Sequence, residues 1–131
     1  MEIGTSAQRE YTITDAMIRA FAEASGDTNP LHLDDAYAAD TQFGQRIAHG
    51  MLTASFISAV LANDLPGPGT IYLGQEVKFK APVFLGDVVT ATVELTQFRE
   101  DKRIATFKTT CVKQDGTTVL EGEAVVISPP L

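Results

Sequence analysis

The sequence predicts an α+β fold in which an antiparallel sheet wraps one buried helix. Three observations carry that expectation. The run Met51 to Ala62 holds no charge and places apolar or small residues on every face, so a helix there is buried all round. From Ile71 onward the pattern changes to period two and stays rich in β-branched residues. Hairpin and turn signals separate these later segments, which leaves a meander of strands to cover the helix.

The elements follow in order. Residues 1 to 8 are polar and read as a loose terminus. Glu10-Tyr11-Thr12-Ile13 suits a short strand. Thr14 is a good N-cap and Asp15 places a negative charge in the first turn. Met17, Ile18, Phe21, Ala22 and Ala24 then recur at helical spacing, with Arg19 and Glu23 towards water, and Ser25-Gly26 ends the helix. Gly26 to His32 is a defined turn rather than a regular element. Asp34 to Ala39 suits a turn or two of helix, and Thr41 to Arg46 a polar loop. The central helix starts after His49-Gly50 and stops at Asn63-Asp64-Leu65-Pro66-Gly67-Pro68-Gly69. It is shorter than the roughly 20 apolar residues that a bilayer requires. Strands are expected over 71–79, 89–96, 104–113 and 117–127. The breaks fall at Ala81-Pro82 to Gly86-Asp87, at Glu100-Asp101-Lys102, and at Asp115-Gly116, a two-residue hairpin signal.

With 131 residues, 44% of them hydrophobic, the chain suits a single domain over 1–131 with a substantial core. The net charge is −7 and no basic run occurs, which argues against a nucleic-acid partner. One cysteine, Cys111, can form no internal disulfide and reads as a small buried hydrophobe. No Cys/His cluster suggests zinc. Met1 to Ala20 lacks a basic region followed by an apolar stretch, so no signal peptide is expected. A cytoplasmic protein with no membrane association fits best.

The chemistry-bearing residues are few. His32 and His49 are the only histidines. Asp27 and His32 share one Pro-containing turn and can point to one spot, as general acid–base work on a water needs. The plainer reading of the same spacing is an Asx turn at Asp27 beside a surface histidine. Gly50 at the helix start leaves backbone N–H groups bare, where they and the helix dipole favour a developing negative charge. A tight loop-to-helix turn accounts for the glycine equally. His49 reads first as packing, second as a contact to the same ligand. Thr53 and Ser55 are expected to bond back to a carbonyl one turn earlier. Neither serine of this helix, Ser55 or Ser58, sits in a glycine-flanked nucleophile motif, and no phosphate-cradling glycine loop occurs.

The segment Ala24-Ser25-Gly26-Asp27-Thr28-Asn29-Pro30-Leu31-His32, then Ala36, then Ile47-Ala48-His49-Gly50-Met51, resembles the signature of the (R)-specific enoyl-CoA hydratases. These belong to the MaoC-like group of hot-dog-fold proteins. The resemblance continues through Ile71-Tyr72-Leu73-Gly74-Gln75, Phe79-Lys80-Ala81-Pro82-Val83 and Gly86-Asp87. It therefore covers the chain from Tyr11 to Ile127. It implies the hot-dog fold, a homodimer with an acyl tunnel near the interface, and an acyl-CoA substrate of the kind used to supply polyhydroxyalkanoate synthesis. By the same resemblance Asp27 and His32 are the catalytic pair, Gly50 N–H is the oxyanion donor, and Ser58, Asn29 and His49 support the site. Leu61 is a candidate tunnel wall that core packing explains equally.

No metal or redox cofactor is implied, since coenzyme A arrives as part of the substrate. Arg46, Lys78, Lys80, Lys102 and Arg103 are the cations available to its phosphates, each more simply read as a solvated charge. Two alternatives use the same fold. A thioesterase would cleave the C–S bond, but its usual carboxylate has no counterpart between Met51 and Ala62. A non-catalytic acyl-thioester-binding subunit would have no need of both Asp27 and His32.

Overall fold

The computed structural model describes residues 1–130. Thr14 accepts a hydrogen bond from Met17 N–H at 3.2 Å and starts α1 (Asp15–Ser25). Gly26, at φ 80°, ends it in a left-handed conformation that costs glycine little. Strand β1 (Ser6–Thr12) precedes it, and the short helices α2 (Pro30–Leu33) and α3 (Asp35–Ala39) follow. The long helix α4 (Gly50–Asn63) then leads to β2 (Ile71–Phe79), β3 (Val88–Arg99), β4 (Ile104–Lys113) and β5 (Thr118–Ile127). One antiparallel sheet has the order β1-β3-β4-β5-β2.

Alternation along the strands decides which face meets the helix. Val89, Ala91, Val93 and Leu95 on β3, Ala105, Phe107 and Cys111 on β4, and Leu120, Ala124 and Val126 on β5 are all buried. They share one core with Leu52, Phe56, Ile57, Val60 and Leu61 of α4. Each Val, Leu, Ile or Phe among them contributes roughly 1.5–3 kcal/mol through the surface it removes from water. Tyr11 on β1 stacks on Phe56 with ring centroids 4.0 Å apart. The expected sheet around a helix is therefore present, and the cysteine lies inside it. Burial pushes the Cys111 thiol up to about 12.

Five expectations need correction. The strands are not a simple meander: β2 pairs with β5, across the sheet from β3. A period-two pattern fixes which face a residue takes and leaves the choice of neighbour open. That choice is made by the connection after β2, which is tied to the start of α4: Ala48 N–H donates to Val83 C=O at 2.7 Å, and Ile47 bridges Phe84. Helix α4 is not buried all round. Met51, Ser55 and Ala62 are exposed, and Ala54 and Ser58 are half-buried, in a stripe beside the outermost strand β2. Residues 6–8 are not loose, because β1 pairs with β3 from Ser6↔Glu94 onward. The turn after Asn29 contains one turn of helix. Finally, the β4–β5 loop is not a two-residue turn: Lys113 N–H donates to Thr117 C=O, so three residues lie between, with Gly116 at φ 87°.

Among the described residues no helix is long and apolar enough to cross a membrane.

Candidate active site

The end of α1 builds the site's first wall. Ser25 Oγ donates to Phe21 C=O at 2.7 Å and accepts from Asp27 N–H at 3.1 Å, which orients the chain as it leaves the helix. Asp27 Oδ1 accepts from Asn29 N–H at 3.3 Å, the expected Asx turn. Asn29 Oδ1 in turn accepts from Leu31 N–H at 3.0 Å and caps α2, whose first residue is Pro30. This single turn of helix points His32 inward, where it is only 8% exposed. The Asx turn at Asp27 and an inward-facing His32 thus occur in the same segment, and His32 is not a surface residue.

His32 Nδ1 lies 2.7 Å from the carbonyl of Ile47. A carbonyl only accepts, so Nδ1 carries the proton and Nε2 of the neutral ring offers a lone pair. His49 Nε2 donates to the backbone carbonyl of Asp27 at 3.0 Å. The two imidazoles stack with centroids 4.0 Å apart and planes 29° apart, and the Phe21 ring lies tilted against His49 at 4.9 Å. His49 therefore packs, as its position suggested, and also pins the residue that carries the carboxylate. One nitrogen or oxygen from each of Asp27, His32 and His49 falls within 4.8 Å of the others. A metal would have to lie about 2.0–2.1 Å from each nitrogen, in the plane of its ring. Stacked rings aim those planes alongside one another, so this cluster suits proton transfer better than metal binding.

Gly50 is the first residue of α4, and its N–H makes no hydrogen bond among the described residues. Its backbone is unstrained; what a side chain there would meet is the Phe79 ring, whose Cε1 would lie 2.7 Å from a Cβ. A cavity of about 430 Å³ brings these parts together, lined by Asp27, His32, His49, Gly50, Phe79 and Lys80. The buried Nδ1 of His49 and the Oγ1 of Thr53, both on its wall, have no partner among the described residues. Thr53 thus departs from the expected back-bond, which Ser55 does make, to Leu52 C=O at 2.6 Å.

The remaining candidates fall elsewhere. Ser58 lines a second groove of about 490 Å³ with Met51, Tyr72 and Leu73, and no hydrogen bond joins it to Asp27 or His32 among the described residues. Leu61 lines neither cavity; at 1% exposure it is a core residue, because its face of α4 meets the sheet. Lys80 reaches the first cavity and pairs with Glu121 at 3.4 Å, whereas Lys78, Lys102 and Arg103 are exposed outside it. Arg46 is no solvated charge: it is 6% exposed, with Nε on the His32 carbonyl and Nη2 on Asp15. A lone arginine in a polar loop gave no sign of that.

Comparison with known proteins adds the following. The MaoC like domain family matches residues 2–117. A protein of Rhodospirillum rubrum named (R)-specific enoyl-CoA hydratase is 54% identical over 96% of this chain and 87% of its own length. One of the same name from Aeromonas caviae is 52% identical over 98% of this chain and 96% of its own. A solved structure described as an (R)-hydratase from A. caviae involved in PHA biosynthesis superposes with a TM-score of 0.96, at 52% identity, covering 98% of both chains.

Proposed function

Because this chain belongs to the MaoC like domain family, we propose that it adds water across trans-2-enoyl-CoA to give (R)-3-hydroxyacyl-CoA. The chain is a hydro-lyase of the hot-dog fold. The observation that carries the reading is one cavity holding a carboxylate, an imidazole with its lone pair free and a bare helix N-terminal N–H.

The chemistry follows from that arrangement. A water hydrogen bonds at about 2.8 Å to each partner, so groups within 4.8 Å of one another can hold one water between them. Asp27 and His32 Nε2 hold that water and take its proton as its oxygen bonds to C3 of the enoyl thioester. The C2–C3 π electrons move through C2 to the thioester oxygen. The Gly50 N–H and the α4 dipole stabilise the enolate charge there. A proton returns from the Asp27–His32 pair to C2, which restores the thioester and the resting pair. Every step is a proton transfer or an addition, so the reading calls for no metal or redox cofactor. Lys80 lines the cavity, and in this reading it is the cation that meets a phosphate of coenzyme A.

The working form in this reading is a cytoplasmic homodimer. Ile71, Leu73 and Phe79 on β2 are each more than half exposed, beside the open stripe of α4. A second copy would cover that apolar edge, and the groove holding Ser58 would become the acyl tunnel. Such an enzyme can supply (R)-3-hydroxyacyl-CoA to polyester synthesis.

The test is hydration of crotonyl-CoA by the purified protein and by Asp27→Asn, followed by loss of the conjugated absorbance. Product chirality and free thiol are read from the same reaction. Rapid loss, an (R) product and an inactive variant are expected. Thiol release would transfer the assignment to a thioesterase, and no reaction would leave a binding subunit.

A further inference from the structure

We infer that Arg46 is a positioning residue for His32, clamping the turn that carries the imidazole to the start of α1. This rests on the hydratase reading of the cavity. The guanidinium is buried, and burying one is unfavourable unless every donor finds a partner. Its Nε donates to the backbone carbonyl of His32 at 2.8 Å. Its Nη2 donates to Asp15 Oδ1, and its Nη1 lies 3.6 Å from Asp35 Oδ1. Asp15 is held from its other side by Arg19 Nε at 2.9 Å.

The need for this clamp comes from α2. One turn of helix cannot satisfy its own last carbonyls or hold its own shape. The Arg46-Ile47 pair supplies what is missing. Ile47 N–H donates to Leu31 C=O at 3.4 Å, Arg46 takes the His32 carbonyl, and the Ile47 carbonyl receives the His32 ring N–H at 2.7 Å. The backbone and the side chain of His32 are therefore both fixed by two consecutive residues, and Arg46 ties that pair to Asp15. Arg46 lines neither cavity and touches no reacting atom; it acts through His32 alone.

The experiment compares Arg46→Met, Arg46→Lys and Asp15→Asn, each alone and Arg46→Met also in a His32→Ala background, with crotonyl-CoA as substrate. Misplacing a catalytic group slightly costs up to about 100-fold, so kcat of Arg46→Met is expected to fall roughly 10- to 100-fold with KM changed less than about 3-fold. Arg46→Lys keeps the charge yet cannot reach His32 and Asp15 together, so it recovers Tm but not kcat. In the His32→Ala background Arg46→Met adds no further loss, since the group it positions is gone. A kcat near wild type, an equal loss in both backgrounds, or full activity of Arg46→Lys overturns the inference while the hydratase stands. An inactive wild type overturns both. Should Arg46→Met fail to fold, Arg46→Lys and Asp15→Asn decide by the same kcat and Tm comparison.

Discussion

The ring N–H of His32 ends on the main-chain carbonyl of Ile47, 2.7 Å away. Because the acceptor is backbone, the tautomer is set by the course of the chain and no side-chain replacement at Ile47 removes it. Three residues later the same stretch presents the Gly50 N–H. One short segment thus fixes the His32 ring and presents the Gly50 N–H, and it also reaches Asp27 through the His49 ring.

Replacing either member of the acid–base pair should abolish most turnover. Asp27→Asn and His32→Gln are expected to lose about 10²–10⁴ in kcat. Asp27 is exposed, so its variant should melt close to wild type. Retained hydration in Asp27→Asn would remove it from the mechanism.

Space at the helix start gives a second test. In Gly50→Ala the new methyl meets the Phe79 ring, so the ring must swing out of the cavity wall. Turnover should drop by about 10-fold or more, because a displaced wall misplaces the substrate against the reacting groups. The double variant Gly50→Ala/Phe79→Ala relieves the collision and should recover part of it. No recovery would mean that the methyl blocks the thioester itself.

Acid stability carries a sign that Asp15 fixes. Hydrogen bonds from Arg46 and then Arg19 hold its carboxyl below the ordinary carboxylate range. Between the folded value and about 3.9, the unfolded chain takes up a proton that the folded chain refuses. The stabilisation is complete above that range and lost as pH falls through it. Asp15→Asn should therefore melt lower than wild type at neutral pH, with the gap in Tm narrowing as the buffer falls below about pH 3.9. A gap independent of pH would contradict the linkage.

The β2–β5 pairing has one point where nothing larger than hydrogen fits. A Cβ on Gly122 would lie 1.8 Å from the Glu76 carbonyl oxygen, which is backbone and cannot move aside cheaply. Gly122→Ala should destabilise by about 3 kcal/mol or more, read by denaturant unfolding. Amide exchange should show β2 released first.

Association is read through β2. Leu73→Lys sets a charge on an exposed apolar edge and should cost the lone chain little. Light scattering is expected to show a dimer for wild type and a monomer for the variant. Two monomers would leave the exposed edge without this explanation.

How far the sequence disclosed this can be judged residue by residue. Thr14 and Gly26 bound α1 where capping chemistry places them, and the alternation in β3, β4 and β5 gives the buried face correctly. The Asx turn at Asp27 was legible because Asp, Asn and Pro make a turn whose geometry is local, whereas spacing alone pointed to a surface histidine at His32 and only the family resemblance paired the two. Arg46 was not, because its partners, Asp15 and the His32 carbonyl, are distant in sequence. The pairing of β2 with β5 was hidden for the same reason: pattern reports the environment of a residue and not the identity of its neighbour. The exposed stripe on α4 was concealed because small and apolar residues there look alike whether the sheet or another surface covers them.

The buried thiol has a practical use. Cys111 is the chain's sole sulfhydryl, wholly enclosed, and its ionisation is pushed up to about 12. The thiolate is the form that attacks a disulfide reagent, so the folded protein should give no colour with one at neutral pH. Any colour in a reaction mixture then counts coenzyme A set free, without a protein blank. When denaturant is added, the same reagent becomes a one-site clock for opening of the β4 core.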